Sequence, residues 1–308
     1  MGLVEYSVLD ARMRSLVIGS AHLERLDGSS RWAEGPVYFP VGDYLLWSDI
    51  PNNRVMQWAE GLGVRTYSHF SHNSNGSTRD AVGRRVTCEH LSRSVVRFEP
   101  DGLKTILATE HDGRRLNSPN DVVVASDGAV WFTDPSYGIL SDYEGERATP
   151  EQASCNVYRI APMTGMVVPK ITSMRMPNGL AFSPDERTLY VADSSRSHDE
   201  AGHNHVLAFD VGRDWSVGEP RVFATIEHGV PDGLRVDELG NVWVSSARGI
   251  EIYARDGTPL GTIFVPETVA NLTFGGPKNN RLFITATTSV YALYTAVRGA
   301  SRPGGTSD

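Results

Sequence analysis

The sequence predicts an all-β fold, a six-bladed β-propeller with four-stranded blades, and three observations carry that prediction. An oxygen-bearing residue that opens a small or apolar run recurs six times, at Glu34, Asn75, Asn120, Asn178, Asp232 and Asn271, with spacings of 41, 45, 58, 54 and 39 residues. An aromatic residue or Val follows each after 11 to 13 residues: Trp47, Val86, Trp131, Tyr190, Trp243 and Phe283. Between these markers the chain alternates short β-branched and aromatic runs with turns drawn from 30 Gly and 17 Pro, and no segment sustains a helical period. A repeat of about 40–50 residues built from strands is the signature of propeller blades.

The elements follow from local signals. Residues 10–18 allow one short helix, and 21–26 read as a strand. Only 37 residues follow Asn271, enough for about three strands. Residues 21–26 are therefore expected to supply the outer strand of the last blade and to remove its weak edge. The Ser-Pro-Asp-Glu run at 183–186 is a turn before strand 188–192, and 237–240 repeats the pattern. Runs 95–98, 157–160, 206–209 and 250–253 read as later strands, with hairpin turns at Asp101-Gly102 and Asp256-Gly257. Two units are long; the excess, 137–154 and 194–205, is expected on a loop face where it can act as a lid. Residues 1–308 are read as a single domain.

Composition narrows the function. The chain is 40% hydrophobic and 21% charged, which excludes disorder and supplies a sizeable core. Lys and Arg number 29 against 37 Asp and Glu, a net charge of −8, so no basic face is available for nucleic acid or an anionic membrane. No run approaches the roughly 18 apolar residues of a membrane helix. Residues 1–10 lack the basic-then-apolar pattern of a secretory leader, and a cytoplasmic location is expected. Cys88 and Cys155 make no disulfide framework and are read as buried free thiols.

In a propeller the innermost strands line a central channel, so the six recurring residues form a ring about one axis. That ring holds six oxygen-bearing side chains and no Lys, Arg, His or Cys. Buried carboxylates need a partner. Glu34 and Asp232 supply a formal charge of −2, which one divalent cation balances; Ca²⁺, with its preference for oxygen ligands, is favoured over Zn²⁺. The competing reading is that Asn-Gly and Asp-Gly pairs only mark turns. Asn75 and Asn271 are the ring members expected to stand outside the ligand set. Asp49, Glu89, Asp134 and Asp193 recur at a second level, where they cap loops or shape a polar pocket. The run from His198 to His205, and His69 with His72, read as polar residues on solvent-exposed loops.

These residues resemble the regucalcin/gluconolactonase (senescence-marker-protein) family of metal-dependent lactonases. The likeness rests on 32–38 (WAEGPVY), 116–124 (LNSPNDVVV), 131–138 (WFTDPSYG), 176–184 (MPNGLAFSP) and 231–237 (PDGLRVD), and runs from about residue 31 to 286. The second and third runs look closer to the bacterial gluconolactonase branch than to the animal one. The resemblance implies a six-bladed propeller with one divalent ion near the channel axis, held by Glu34, Asn120, Asn178 and Asp232. It also implies that Asp232 is the base and that Asn120 touches substrate. The animal branch holds substrate with an Arg two residues before the Asn120 position, where this chain has Ser118. Arg115, Asn117 and His90 are the replacement candidates.

The expected reaction is hydrolysis of a small sugar lactone. Water attacks a carbonyl polarised by the metal, and Asp232 takes its proton. Two other classes fit the same ring: hydrolysis of organophosphate or aryl esters, and a non-catalytic calcium- or ligand-binding propeller.

Overall fold

The computed structural model describes residues 2–300, so the predicted domain limits Met1 and Asp308 lie outside it. It is a six-bladed β-propeller. Five blades are four-stranded antiparallel sheets in simple meander order. The first is built from Ala33–Phe39, Tyr44–Asp49, Arg54–Ala59 and Gly63–His69. The sixth takes three strands from the C-terminal part of the chain, Val269–Gly275, Arg281–Ala286 and Ser289–Tyr294. Its fourth strand is His22–Asp27, with Glu24 opposite Ala292, and Gly2–Leu3 adds a short fifth. The sheet that carries the last blade therefore also holds the start of the chain.

The core lies between blades. Trp47, Val86, Trp131, Tyr190, Trp243 and Phe283 all sit on second strands and are at most 1% exposed. Each such side chain contributes on the order of 1.5–3 kcal/mol by leaving water. Trp131 packs with Leu180, Leu189 and Phe209 of the next blade, and Phe283 packs with Tyr38 and Trp58 of the first. The short helix expected near residues 10–18 is a 3-10 turn, Ala11–Ser15, capped by Asp10, whose side chain accepts from the Arg12 N–H at 2.9 Å. It delivers Met13 into the core beside the fifth and sixth blades. Cys88 is a buried free thiol; Cys155 is free but only half-buried. Among the described residues no helix is long and apolar enough to cross a membrane.

The innermost strands carry a shared irregularity. The pairing register shifts between Glu34 and Val37, Ser74 and Ser77, Pro177 and Leu180, and Val269 and Asn271. A bulge at this level re-aims a side chain, and in each case the ring residue lies at or within it. In the third and fifth blades Asn120 and Asp232 stand two residues ahead of the regular strands Val122–Val124 and Leu234–Val236, a departure from the expectation that each ring residue begins its strand.

Candidate active site

The Asn-Gly and Asp-Gly pairs of the ring are not turns. A Cβ on Gly76 would lie 2.5 Å from the Asn120 carbonyl oxygen, and one on Gly179 would lie 2.2 Å from that of Asp232. The bare backbones instead hydrogen-bond from blade to blade: Gly76 N–H donates to Asn120 O at 2.8 Å and Gly179 N–H to Asp232 O at 3.2 Å. Glycine follows the ring residue because the next inner strand passes there at main-chain contact distance.

Two pairs of ring residues stand side by side, Glu34 with Asn271 and Asn178 with Asp232. Glu34 Oε2 accepts from the Gly35 N–H at 2.6 Å and from the Asn271 amide at 3.0 Å. Asn178 hydrogen-bonds the carboxylate of Asp232, and the Asp232 N–H donates to Ser245 Oγ at 3.0 Å. Asn120 and Asn178 are buried, whereas Asp232 is half-buried. Burial drives the pKa values of both Glu34 and Asp232 upward. The charge of Glu34 adds to the effect on Asp232, and those of Glu144 and Asp121 act on both.

Asp121, the next residue along from Asn120, is also buried. Its Oδ2 has no hydrogen-bond partner and lies 3.6 Å from Arg235 Nη1. The donor set is thus carboxylates and amides crowded together, with one guanidinium near Asp121. Such a set fits a hard divalent cation, whose charge would relieve the repulsion.

The candidate substrate residues separate. His90 reaches the ring: its Nε2 lies 3.2 Å from the Asn75 amide nitrogen, and its Nδ1 lies 3.0 Å from the Glu144 carbonyl oxygen. Burial holds its pKa down at about 4, so it is a neutral imidazole at neutral pH. Asn117 faces its own blade, where its N–H donates to Asp134 Oδ2 at 2.8 Å and its amide donates to the carbonyls of Asp134 and Ser154. Arg115 is exposed, with its guanidinium on the Ser92 carbonyl. Ser118 is fully buried; its hydroxyl donates to Pro135 O at 2.7 Å and accepts from the Gly138 N–H at 3.0 Å. It therefore anchors the start of the 137–154 insertion.

That insertion brings two groups which the repeat does not flag. Glu144 is half-buried within electrostatic reach of Glu34 and Asp232, and burial raises its pKa to about 7. Tyr137 has a buried hydroxyl held well above its ordinary pKa by burial, with the charges of Asp232 and Asp193 adding to the effect. Its ring packs against His198 of the other insertion, centroids 5.4 Å apart. Gly138 presses so close to His90 that a Cβ there would meet the ring at 2.5 Å.

The second level of acidic residues caps loops. Asp49, Asp134 and Asp193 accept the backbone N–H of Arg31, Asn117 and Arg175, each three residues before a ring member. Glu89 instead takes the Ser92 hydroxyl and Lys104.

Residues 32–288 match the family described as the SMP-30/gluconolactonase/LRE-like region. The chain is 30% identical to a gluconolactonase of Zymomonas mobilis, over 94% of this chain and 85% of that protein. It is 28% identical to the pentonolactonase XacC of Haloferax volcanii, over 84% of this chain and 83% of that one. Among solved structures, a gluconolactonase from Xanthomonas campestris superposes with a TM-score of 0.87 at 36% identity, covering 95% of this chain and 96% of its own.

Proposed function

The chain belongs to the SMP-30/gluconolactonase/LRE-like family, and on that premise we propose that it hydrolyses a sugar lactone of the gluconolactone type at the channel ring. The observation that carries the reading is the convergence of Glu34 and Asp232, two carboxylates raised in pKa by burial, among amide side chains at one end of a channel. Glu34, Asn120, Asn178 and Asp232 would hold a divalent cation there, and all-oxygen ligation favours Ca²⁺ over Zn²⁺. Such an ion, when bound, supplies electrostatic stabilisation to a carbonyl oxygen that gains charge.

The remaining chemistry belongs to the chain. Asp232 accepts a proton from the attacking water as the oxygen adds to the carbonyl carbon. It returns that proton to the ring oxygen as the ester C–O bond breaks, leaving an open hydroxy acid. Asn178 orients the Asp232 carboxylate through its hydrogen bond. Glu34 is held by Gly35 and Asn271 and serves as an anchor. Asn120 meets substrate hydroxyls, while His90, buried with both ring nitrogens engaged by Asn75 and Glu144, supports the ring from behind, and Tyr137 with Glu144 closes the mouth of the channel. Residues 1–308 act as one domain, on a small molecule in the cytoplasm.

The test is the rate of acid release from a panel of sugar lactones by protein that has been chelated and then reloaded with Ca²⁺. Rates above the spontaneous background that fall on chelation and return with the ion are expected. A rate at background throughout would favour a non-catalytic propeller. Faster turnover of a fluorophosphate than of any lactone would assign the ring to phosphoester chemistry.

A further inference from the structure

An acidic residue ending the second strand recurs in this fold, and among the described residues the third- and fourth-blade members, Asp134 and Asp193, have no Lys or Arg side chain bridging them. In the first blade Asp49 is neutralised by Arg54, its register partner on the third strand, with Nε 2.8 Å from Oδ2. In the second blade Glu89 has Lys104 at 3.2 Å. Asp193, at 0% exposure, instead faces His205 across the register, and among the described residues no Lys or Arg side chain bridges it. Its charge is met by the backbone N–H groups of Arg175, Met176 and Ser195 and by His203.

The groups gathered around Asp193 have metal-ligand chemistry. His203 Nδ1 lies 3.2 Å from Asp193 Oδ2, and the rings of His203 and His205 stack with centroids 4.5 Å apart at 26°. One ligand atom from each of Asp193, His203 and His205 falls within 4.8 Å of the other two. In a tetrahedral zinc shell ligand atoms stand about 3.3 Å apart, so the Asp193–His203 pair is already at that spacing. His205 Nε2 is buried and has no hydrogen-bond partner, and a buried polar atom in that state needs an explanation.

The loop that presents His203 is itself built. The His203 N–H donates to Ser195 Oγ at 2.7 Å, and the Arg196 N–H donates to the His203 carbonyl at 2.9 Å. Gly202 permits this crossing, since a Cβ there would lie 2.5 Å from Arg196 N. The carboxylate is equally fixed, because Arg175 and Ser195 donate backbone N–H groups to it at 3.1 Å. His203 keeps a partly open side chain, which gives an ion a route from solvent.

We propose that Asp193, His203 and His205 form a second cation site, distinct from the channel ring, which takes a borderline transition metal such as Zn²⁺ in preference to Ca²⁺. Two imidazoles and one carboxylate suit zinc and its neighbours, whereas Ca²⁺ selects oxygen donors. An ion there fastens the 194–205 insertion to the fourth blade at both of its ends. The same insertion carries His198, which packs on Tyr137, and Ser194, whose hydroxyl donates to the carbonyl of Pro231 beside Asp232. The site therefore stands or falls independently of the lactone reading, although its occupant would stiffen one wall of that pocket.

The experiment uses the whole chain, stripped with chelator, held in excess Ca²⁺ and titrated calorimetrically with Zn²⁺. One Zn²⁺ per chain is expected, with an affinity that does not change when Ca²⁺ is raised tenfold. Co²⁺ in place of Zn²⁺ is expected to give visible absorption bands of nitrogen ligation. His203→Ala and His205→Ala are each expected to weaken Zn²⁺ binding by at least ~30-fold, because each removes one of three protein ligands. Zn²⁺ is also expected to slow tryptic cleavage after Arg196 in the parent chain and not in either variant. The proposal is overturned if no Zn²⁺ is taken up at micromolar concentration, if Ca²⁺ competes it away, or if the double His203→Ala/His205→Ala variant binds it undiminished. If a variant loses its far-UV spectrum, the Ca²⁺ competition and the Co²⁺ spectrum of the parent chain decide the matter.

Discussion

The side-chain amide of Asn271 donates to Glu34 Oε2 at 3.0 Å, joining the last blade to the first across 237 residues of sequence. The Gly35 N–H falls on the same oxygen. Both bonds leave Oε1 as the oxygen available to a cation. Asn271 thus acts on the ring as a donor that sets the orientation of Glu34, while Asn75 does the same for His90. This is how two ring members serve the site without being ligands in the proposed set.

The two ring carboxylates are expected to respond differently to neutralisation. Asp232→Asn keeps an oxygen but removes the base, and should lower kcat by about 10²–10⁴ even with metal at saturation. Glu34→Gln should mainly weaken metal affinity, so that excess Ca²⁺ restores much of the rate. Initial rates of both variants against free Ca²⁺ separate the roles. Full rescue of Asp232→Asn would make Asp232 a ligand only.

Tyr137→Phe deletes a buried hydroxyl near Asp232 and leaves the ring intact. KM should change unevenly across a lactone panel, while the Ca²⁺ affinity measured by calorimetry stays within about threefold of the parent. An equal loss of kcat for every lactone, with KM constant, would argue against a role in substrate fit.

Gly179→Ala should disturb the ring directly. The added methyl would lie 2.2 Å from the Asp232 carbonyl oxygen, so strand or ring must shift. A loss of about 2 kcal/mol or more in urea unfolding is expected, together with loss of activity. Gly19→Ala, with open space around it, serves as the control and should lie within about 0.5 kcal/mol of the parent.

Arg281 is the expected weak point of closure. It is buried, bridges Glu24 of the N-terminal strand at 2.8 Å and Glu60 at 2.6 Å, and lies 4.7 Å over the Trp58 ring. Arg281→Ala should destabilise the chain by about 1–3 kcal/mol, through lost stacking as well as lost charge. Equilibrium unfolding by urea measures it; an unchanged midpoint would show that closure rests on backbone pairing alone.

His90 gives stability a pH dependence with a defined sign. Its folded pKa, about 4, lies below its ordinary value of 6.5 because of burial. The folded state therefore resists protonation. The stability this group allows is fully present above pH 6.5 and is lost as pH falls toward 4. Between pH 7 and 4.5 the parent chain should lose about 2–3 kcal/mol more than His90→Gln does. Parallel pH slopes for the two proteins would contradict the assignment.

Blade number was legible because the unit repeats. The spacing of Glu34, Asn75, Asn120, Asn178, Asp232 and Asn271 marks inner strands, and the buried aromatic residue or Val that follows marks the second strand of each blade. What does not repeat was harder to read. Tyr137 and Glu144 sit in an insertion outside the repeated pattern, so only folding reveals that they come within electrostatic reach of the ring carboxylates. Arg115 and Asn117 stand close to Asn120 in sequence, but the chain turns between them, and their side chains serve a surface contact and a blade edge. The stretch His198–His205 looked like exposed polarity. Strand pairing sets His205 against Asp193, and no local pattern encodes a register 12 residues apart.

Main-chain contact between neighbouring inner strands, permitted by Gly76 and Gly179, has a consequence for how this enzyme can diversify. The calibre of the channel is set by backbone van der Waals distances and cannot be widened or narrowed by exchanging side chains elsewhere. Loops above it can lengthen, shrink or change charge without altering that aperture. New substrates would then arise by redrafting the rim, while the throat stays at constant gauge.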